Sequence, residues 1–461
     1  MTKQPNVIIC MCDQLRAFEV GCYGNPVIRT PHIDQLAREG VRFETAVTNN
    51  PVCMPARSCL LSGQYSRTCT GNLGNTIELN AQGQAYLPEY PSEIRTQLPG
   101  PTLAEQLKAV GYTTALIGKW HVQPAPHLVG FDQAVYPRVH HRYTGQTFVE
   151  NDGAGAVVAG YSVEYEADRV AQYLRAPREQ PFFLFYNISP PHMPVGDAPA
   201  KYLTMYSPDE VPLRPNTIVD GRLAYDEHWF KIYLWDFLYY QEHLPYTRQL
   251  PPGFDLRHLT ALYYGMTTWV DDMLGRMMAE LQTNGLADNT IVVFISDHGD
   301  NLGSHHTFNK ESLREESIRI PLIFHAPHRV NPHVDQSHVA QIIDVMPTLL
   351  DLCGAELPAT LQGRSLAPLL NGAQQTVGDR HAYIETSGGQ IGVRTPTHLY
   401  GLQLGEDRQP GTSTAWFYDL RDDPFEMNNL APQDAQAGLT AELRARLLDW
   451  HQHTSWMKEI Q

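Results

Sequence analysis

Four continuously apolar segments set the architecture of this chain before any other feature is weighed: Asn6–Cys12, Thr113–Ile117, Phe182–Ile188 and Thr290–Ser296. None alternates apolar with polar residues, so each reads as a strand buried on both faces, as in a parallel sheet covered by helices. Helical patterns fall between them. Thr30-Pro31 opens a short helix through Ile33, Leu36 and Ala37 that stops at Gly40. Pro101–Ala109 forms another before Gly111, and Tyr263–Leu281 carries Met266, Val270, Met273, Leu274, Met277 and Leu281 on one side. This alternation predicts an α/β fold with a large, mostly parallel sheet flanked by helices. The strands end in Asp13-Gln14, in Gly118-Lys119-Trp120-His121, in Ser189-Pro190-Pro191-His192 and in Asp297-His298-Gly299-Asp300. Ligands of open α/β sheets bind at the carboxyl edge, so these four endings predict one site.

Later segments fill out the frame. Ile318–Phe324 reads as one more strand, and Val339–Leu352 as an amphipathic helix stopped by Gly354. From about residue 375 the pattern becomes short alternating strands, His381–Glu385, Ile391–Arg394, Leu399–Leu402 and Trp416–Leu420, followed by a helix marked by Leu439, Leu443, Leu447 and Trp450. The expected division is a catalytic α/β domain over 1–370 and a small antiparallel-sheet-plus-helix subdomain over 371–461. Residues 72–100 read as an irregular excursion rich in Asn, Gly, Gln and Pro. Residues 195–260 carry Trp229, Phe230, Tyr233, Trp235, Phe237, Tyr239, Tyr240 and Tyr246, which suit a ring-binding surface, a packed insertion or an oligomer contact. Arg138, His140, His141 and Arg142 form a second polar group within reach of a substrate.

Charge narrows the partners. The 461 residues hold 34 Lys and Arg against 50 Asp and Glu, a net charge of −16, which argues against nucleic acid and against an anionic membrane surface. An anionic substrate then requires positive charge gathered locally, for which Arg57, Lys119, Lys310, a metal and some histidines are the candidates. No apolar segment reaches the length of a membrane span, and no signal-peptide pattern is visible. With seven cysteines, an odd number, reduced thiols and a cytoplasmic location are expected. Cys10 and Cys12 share a strand face, without a second pair at zinc-site spacing, and read as core. A homo-oligomer is left open.

The remaining motif is Val52-Cys53-Met54-Pro55-Ala56-Arg57-Ser58, continuing into Cys59-Leu60-Leu61-Ser62-Gly63, with a helix expected from Ser58 to Leu61. Cys-x-Pro-x-Arg resembles the signature of the type I, formylglycine-dependent sulfatases of the alkaline-phosphatase-like superfamily. The resemblance extends over nearly the whole chain through Asp13-Gln14, Thr30-Pro31-His32-Ile33-Asp34, Gly118-Lys119-Trp120-His121, Pro191-His192, Ser296-Asp297-His298-Gly299, Gly303-Ser304-His305, Lys310, Trp416-Phe417-Tyr418-Asp419-Leu420 and Asp423-Pro424. It implies that a maturation enzyme oxidises Cys53 to formylglycine, whose hydrate is the nucleophile. It implies one divalent metal on Asp13, Gln14, Asp297 and His298, calcium before manganese or magnesium. It gives Arg57 the task of holding the diol, Lys119 and Lys310 the sulfate oxygens, His121 the base, and His192 with Lys310 the leaving oxygen; His305 becomes a substrate contact. The activity implied is hydrolysis of a sulfate monoester, of a sugar or another small alcohol. A phosphonate monoester or phosphodiester hydrolase on the same formylglycine, and a non-catalytic anion-binding homologue, stay open.

Overall fold

The structure is a computed structural model that describes residues 4–72, 74–75, 78–79, 85–86, 97–137, 142–235, 248–431 and 437–457. Most of the 72–100 excursion, Arg138, His140 and His141, and the aromatics Phe237, Tyr239, Tyr240 and Tyr246 therefore lie outside the described residues.

An 11-stranded sheet forms the centre. The strand Asn6–Asp13 lies in its middle and pairs in parallel with Thr290–Ser296 on one side and Phe182–Pro191 on the other. Thr113–Gly118 pairs in parallel with Phe182–Pro191, and Gln133–Pro137 with Thr113–Gly118. Val7 through Cys12 are wholly buried, the burial that their unbroken apolar sequence calls for. Helix Pro31–Glu39 and the long helix Leu256–Thr283 cover one face of the sheet. Helix Leu103–Ala109 starts at a capping box: Thr102 Oγ1 accepts from the Glu105 amide at 3.2 Å, and Glu105 Oε2 accepts from the Thr102 amide at 2.7 Å.

Away from this parallel centre the sheet is mixed, and two sequence expectations are corrected there. Val41–Val47, to which the sequence reading assigns no element, is a strand. Its Arg42 and Glu44, paired at 2.8 Å on the solvent side, break the apolar pattern that marks the buried strands. The expected strand Ile318–Phe324 is divided by Pro321 into Arg319–Ile320 and Leu322–His325, both antiparallel to Val41–Val47. The expected helix Val339–Leu352 starts as strand: His333–Gln341 pairs in parallel with Val41–Val47, a 3-10 turn follows at Ile342–Asp344, and the α-helix begins at Val345. Its residues are buried whichever period is applied, so periodicity alone could not separate the two.

The C-terminal part is a four-stranded antiparallel sheet, Ala382–Glu385, Gln390–Arg394, His398–Leu404 and Pro410–Asp419, with helix Ala437–His453. Ile391, Tyr400, Leu443 and Leu447 share one apolar cluster with Met346 and Leu349, so the change of topology near residue 370 is not a break in the core.

Candidate active site

Because Asn6–Asp13, Thr113–Gly118, Phe182–Pro191 and Thr290–Ser296 run parallel, their carboxyl ends deliver Asp13 and Gln14, Lys119 and His121, His192, and Asp297 and His298 to one edge. Val41–Val47 points the same way and leads into Cys53. Cys53 is the first residue of helix Cys53–Ser62 rather than part of a loop ahead of it, correcting the expected start at Ser58. The free N–H groups of that first turn and the positive end of the helix dipole thus sit at the Cys53 side chain.

Cys53 Sγ is the focus. His298 Nε2 lies 3.1 Å from it, Lys310 Nζ 2.9 Å, Asp13 Oδ1 3.7 Å and Lys119 Nζ 4.0 Å. Burial would raise this thiol, yet Lys119, Lys310 and His298 outweigh it and hold Cys53 well below the ordinary cysteine value. His121, in a left-handed backbone conformation, and His192 are both buried beside the thiol. Burial, helped by the neighbouring cations, lowers each imidazole to about 4. His192 Nδ1 donates to the Met193 carbonyl at 2.7 Å, leaving Nε2 as the nitrogen that faces Asp13 Oδ1 at 4.0 Å.

Arg57 organises the carboxylates. Its Nε donates to Asp297 Oδ2 at 3.0 Å, and its second terminal nitrogen reaches both Asp13 Oδ2 and Asp297 Oδ2 at 3.0 Å. Its first terminal nitrogen donates to the Lys119 carbonyl at 3.1 Å and to Asn187 Oδ1 at 2.8 Å. Four hydrogen bonds thereby tie the guanidinium to protein acceptors. With the Oδ2 atoms occupied, the Oδ1 atoms of Asp13 and Asp297 remain facing His298 Nε2, at 3.8 and 3.7 Å. His298 Nδ1 donates to the Gly299 carbonyl at 2.8 Å, which aims the lone pair of Nε2 at the same place. Burial and the adjacent Asp13 carboxylate push Asp297 up to about 6, while Lys119, His192 and Arg57 hold Asp13 low against its burial. Two carboxylate oxygens and an imidazole nitrogen beside Cys53 form a donor set that fits a divalent cation.

Gln14 completes the edge. Its Oε1 accepts from Lys310 Nζ at 3.2 Å, and its Nε2 donates to Asp300 Oδ2 at 2.7 Å. Burial raises Asp300 above the ordinary carboxylate value, against the hydrogen bonds it receives. His305 is not part of this convergence. It groups with Glu316 and Glu426, and its Nε2 lies 3.3 Å from Asn216 Nδ2.

Sequence reasoning passed over Asn187 and Asn309, and named Asp300 and Tyr233 only as part of a strand ending and of the aromatic segment. Asn187 carried a usable signal, an amide inside a buried apolar strand that must find a partner. Tyr233 belongs to the aromatic segment, where Phe230 and Tyr233 are buried and pack against Phe308 with ring centroids 5.7 and 6.2 Å apart. Phe230 and Tyr233 thus pack over the loop that carries Lys310.

Comparison with known proteins accounts for the arrangement. The family description "Sulfatase" matches residues 5–355. The chain is a member of the sulfatase family. A second description, "N-sulphoglucosamine sulphohydrolase, C-terminal", matches residues 303–453. The chain is 30% identical to an ulvan-active sulfatase of Formosa agariphila, over 96% of this chain and 80% of that protein. It is 29% identical to an N-acetylglucosamine-6-O-sulfatase of Bacteroides thetaiotaomicron, over 93% of this chain and 83% of that protein. A solved structure described in complex with its substrate D-glucosamine-2-N,6-O-disulfate superposes with a TM-score of 0.79, at 24% identity over 98% of both chains. The phosphonate monoester hydrolase of Agrobacterium radiobacter shares the fold with a TM-score of 0.74, at 21% identity over 98% of this chain and 96% of that one. This sulfatase is a sulfuric ester hydrolase with an alkaline-phosphatase-like fold.

Proposed function

We propose that this sulfatase hydrolyses the sulfate ester of a sugar hydroxyl, with Cys53 matured to formylglycine and a calcium ion held by Asp13, Gln14, Asp297 and His298. The observation that carries the reading is the surrounding of one buried sulfur by Lys119, Lys310 and two carboxylates pinned by a single arginine. When present, the hydrated aldehyde supplies the nucleophilic hydroxyl and a divalent cation lowers its pKa. Three cations, Arg57, Lys119 and Lys310, stand against two carboxylates, so the site keeps net positive charge for the developing equatorial oxygens of a sulfuryl group. Lys310 is the donor to the departing oxygen. Its ammonium lies at the mouth of the thiol, whereas neutral His192 spends its N–H on the Met193 carbonyl and receives rather than donates. His121 accepts the proton that releases sulfate.

Cys53, Pro55 and Arg57 are completely buried in the fold, so the maturation enzyme must read them before the chain closes. The sugar is supported by the similarity to the N-acetylglucosamine-6-O-sulfatase of Bacteroides thetaiotaomicron. A second reading, hydrolysis of a phosphonate monoester, is favoured by Gln14, which puts a neutral amide at the metal edge. A sulfate and a phosphonate monoester with the same leaving group separate the two. A higher kcat/KM on the sulfate supports the proposal, and a clear preference for the phosphonate overturns it.

A further inference from the structure

Gln14 is an amide, with an acceptor at one end and a donor at the other, and only the oxygen can serve a cation or accept from Lys310. Something must fix which end faces the site. The backbone of Gln14 is already immobile. Its φ is 66°, its N–H donates to Asp297 Oδ1 at 3.1 Å and its carbonyl accepts from the Tyr263 hydroxyl at 2.5 Å. That leaves the end of the side chain.

We propose that Asp300 is the positioning residue that sets the Gln14 amide, and that Tyr233 sets Asp300 in turn. Asp300 Oδ1 accepts from the Tyr233 hydroxyl at 2.6 Å and from the Leu302 amide at 2.9 Å. Its Oδ2 accepts from Gln14 Nε2 at 2.7 Å. Donors occupy both oxygens, so the carboxylate offers acceptors alone and Nε2 is the only end of the amide it tolerates. Asn309 Oδ1, 3.4 Å from Nε2, is a second acceptor on the same side. The Tyr233 hydroxyl is itself fixed because it accepts from the Asn309 amide at 2.7 Å. The chain Tyr233–Asp300–Gln14–Lys310 therefore runs from the aromatic insertion to 2.9 Å from Cys53 Sγ through groups buried from solvent or nearly so. Partners of this kind around metal ligands typically change affinity 10- to 100-fold when removed.

The inference rests on the reading of Gln14 as a metal ligand, and its test separates the two. Asp300→Asn keeps shape and volume. With Tyr233 and Leu302 still requiring an acceptor at Oδ1, the new Nδ2 meets Gln14 Nε2 donor to donor, and the amide must turn its oxygen away from the site. Gln14→Glu combined with Asp300→Asn restores the match, because a carboxylate at 14 accepts from that Nδ2 and still presents an oxygen to the cation. Calcium titration calorimetry of the metal-stripped protein should give a Kd about 10- to 100-fold weaker for Asp300→Asn and recovery to within about threefold in the double variant. Tyr233→Phe should weaken binding by a smaller factor. Unchanged affinity in Asp300→Asn, or no recovery in the double variant, overturns the inference, as does a double variant recovered unfolded. If Asp300→Asn does not fold alone, a folded calcium-binding double variant carries the support. Loss of calcium in Asp297→Asn with wild-type binding in Asp300→Asn removes this inference but not the metal site. Wild-type protein that takes up no calcium removes both.

Discussion

At the scale of residues, Arg57 is what makes two adjacent carboxylates tolerable in a site sealed from water. A buried pair that loses one partner typically costs about 3–5 kcal/mol, because the remaining charge is left uncompensated. Arg57→Lys keeps the charge but offers three donors where Asp13, Asp297, Asn187 and the Lys119 carbonyl supply four acceptors. We expect it to weaken divalent-metal affinity about 10-fold or more, seen as reduced occupancy by metal analysis of folded protein. Occupancy equal to wild type would contradict the role. Lys310→Ala tests the leaving-group side. The rate on an alkyl sulfate should fall about 10²- to 10⁴-fold, and far less on an aryl sulfate whose phenolate leaves without help. An equal loss on both would assign Lys310 to charge alone. Most of this site was legible, since Asp13, Lys119, His121, His192, Asp297, His298 and Lys310 each follow an apolar strand or keep family spacing. What was not legible is the allotment of hydrogen bonds. That Arg57 bonds Asp13, Asp297, Asn187 and the Lys119 carbonyl at once, or that Asp300 faces Gln14, depends on angles and distances the order of residues does not carry.

At the scale of elements, parallel strands aim the chemistry and single residues fix where each strand lets go. Gly118 ends its strand at a φ of 95°, and a Cβ there would lie 1.9 Å from the Asn187 carbonyl oxygen. No side chain fits, and the turn carries Lys119 and His121 into the site. Helix Ser162–Arg175, on the same face of the sheet as helix Leu256–Thr283, contains a different constraint. Glu166 is wholly buried, and neither carboxylate oxygen has a hydrogen-bond partner among the described residues. Burial raises it well above the ordinary carboxylate value. The stability it contributes in the protonated form is complete below that ordinary value and is lost as pH rises through the raised one. Glu166→Gln removes this dependence. Its melting temperature relative to wild type should improve from pH 5 to pH 8; a constant difference would show the carboxyl ionised or solvated. The four strands were readable because they are buried on both faces. Val41–Val47 and His333–Gln341 were not, because one carries charges on its outer face and the other runs straight into a helix with equally apolar neighbours.

At the scale of the whole molecule, the C-terminal sheet is fastened to the element that carries Cys53. Arg67, just beyond helix Cys53–Ser62, is buried against Glu385 of that sheet, Nε to Oε2 at 2.7 Å, and lies between the rings of Trp450 and Trp456, 4.1 and 4.7 Å from their centroids. Glu385→Ala should cost about 3–5 kcal/mol in denaturant unfolding. A change below about 1 kcal/mol, the range of solvent-exposed pairs, would show the two parts to be independent. All of these parts serve the conversion of one cysteine. The direct measurement is peptide mass spectrometry across residue 53 in preparations matured to different extents, set beside their specific activity on a sulfate ester. Activity should rise in proportion to the fraction carrying the aldehyde or its hydrate and extrapolate to none at zero conversion. Full activity in protein whose Cys53 is still an unmodified thiol would contradict the account.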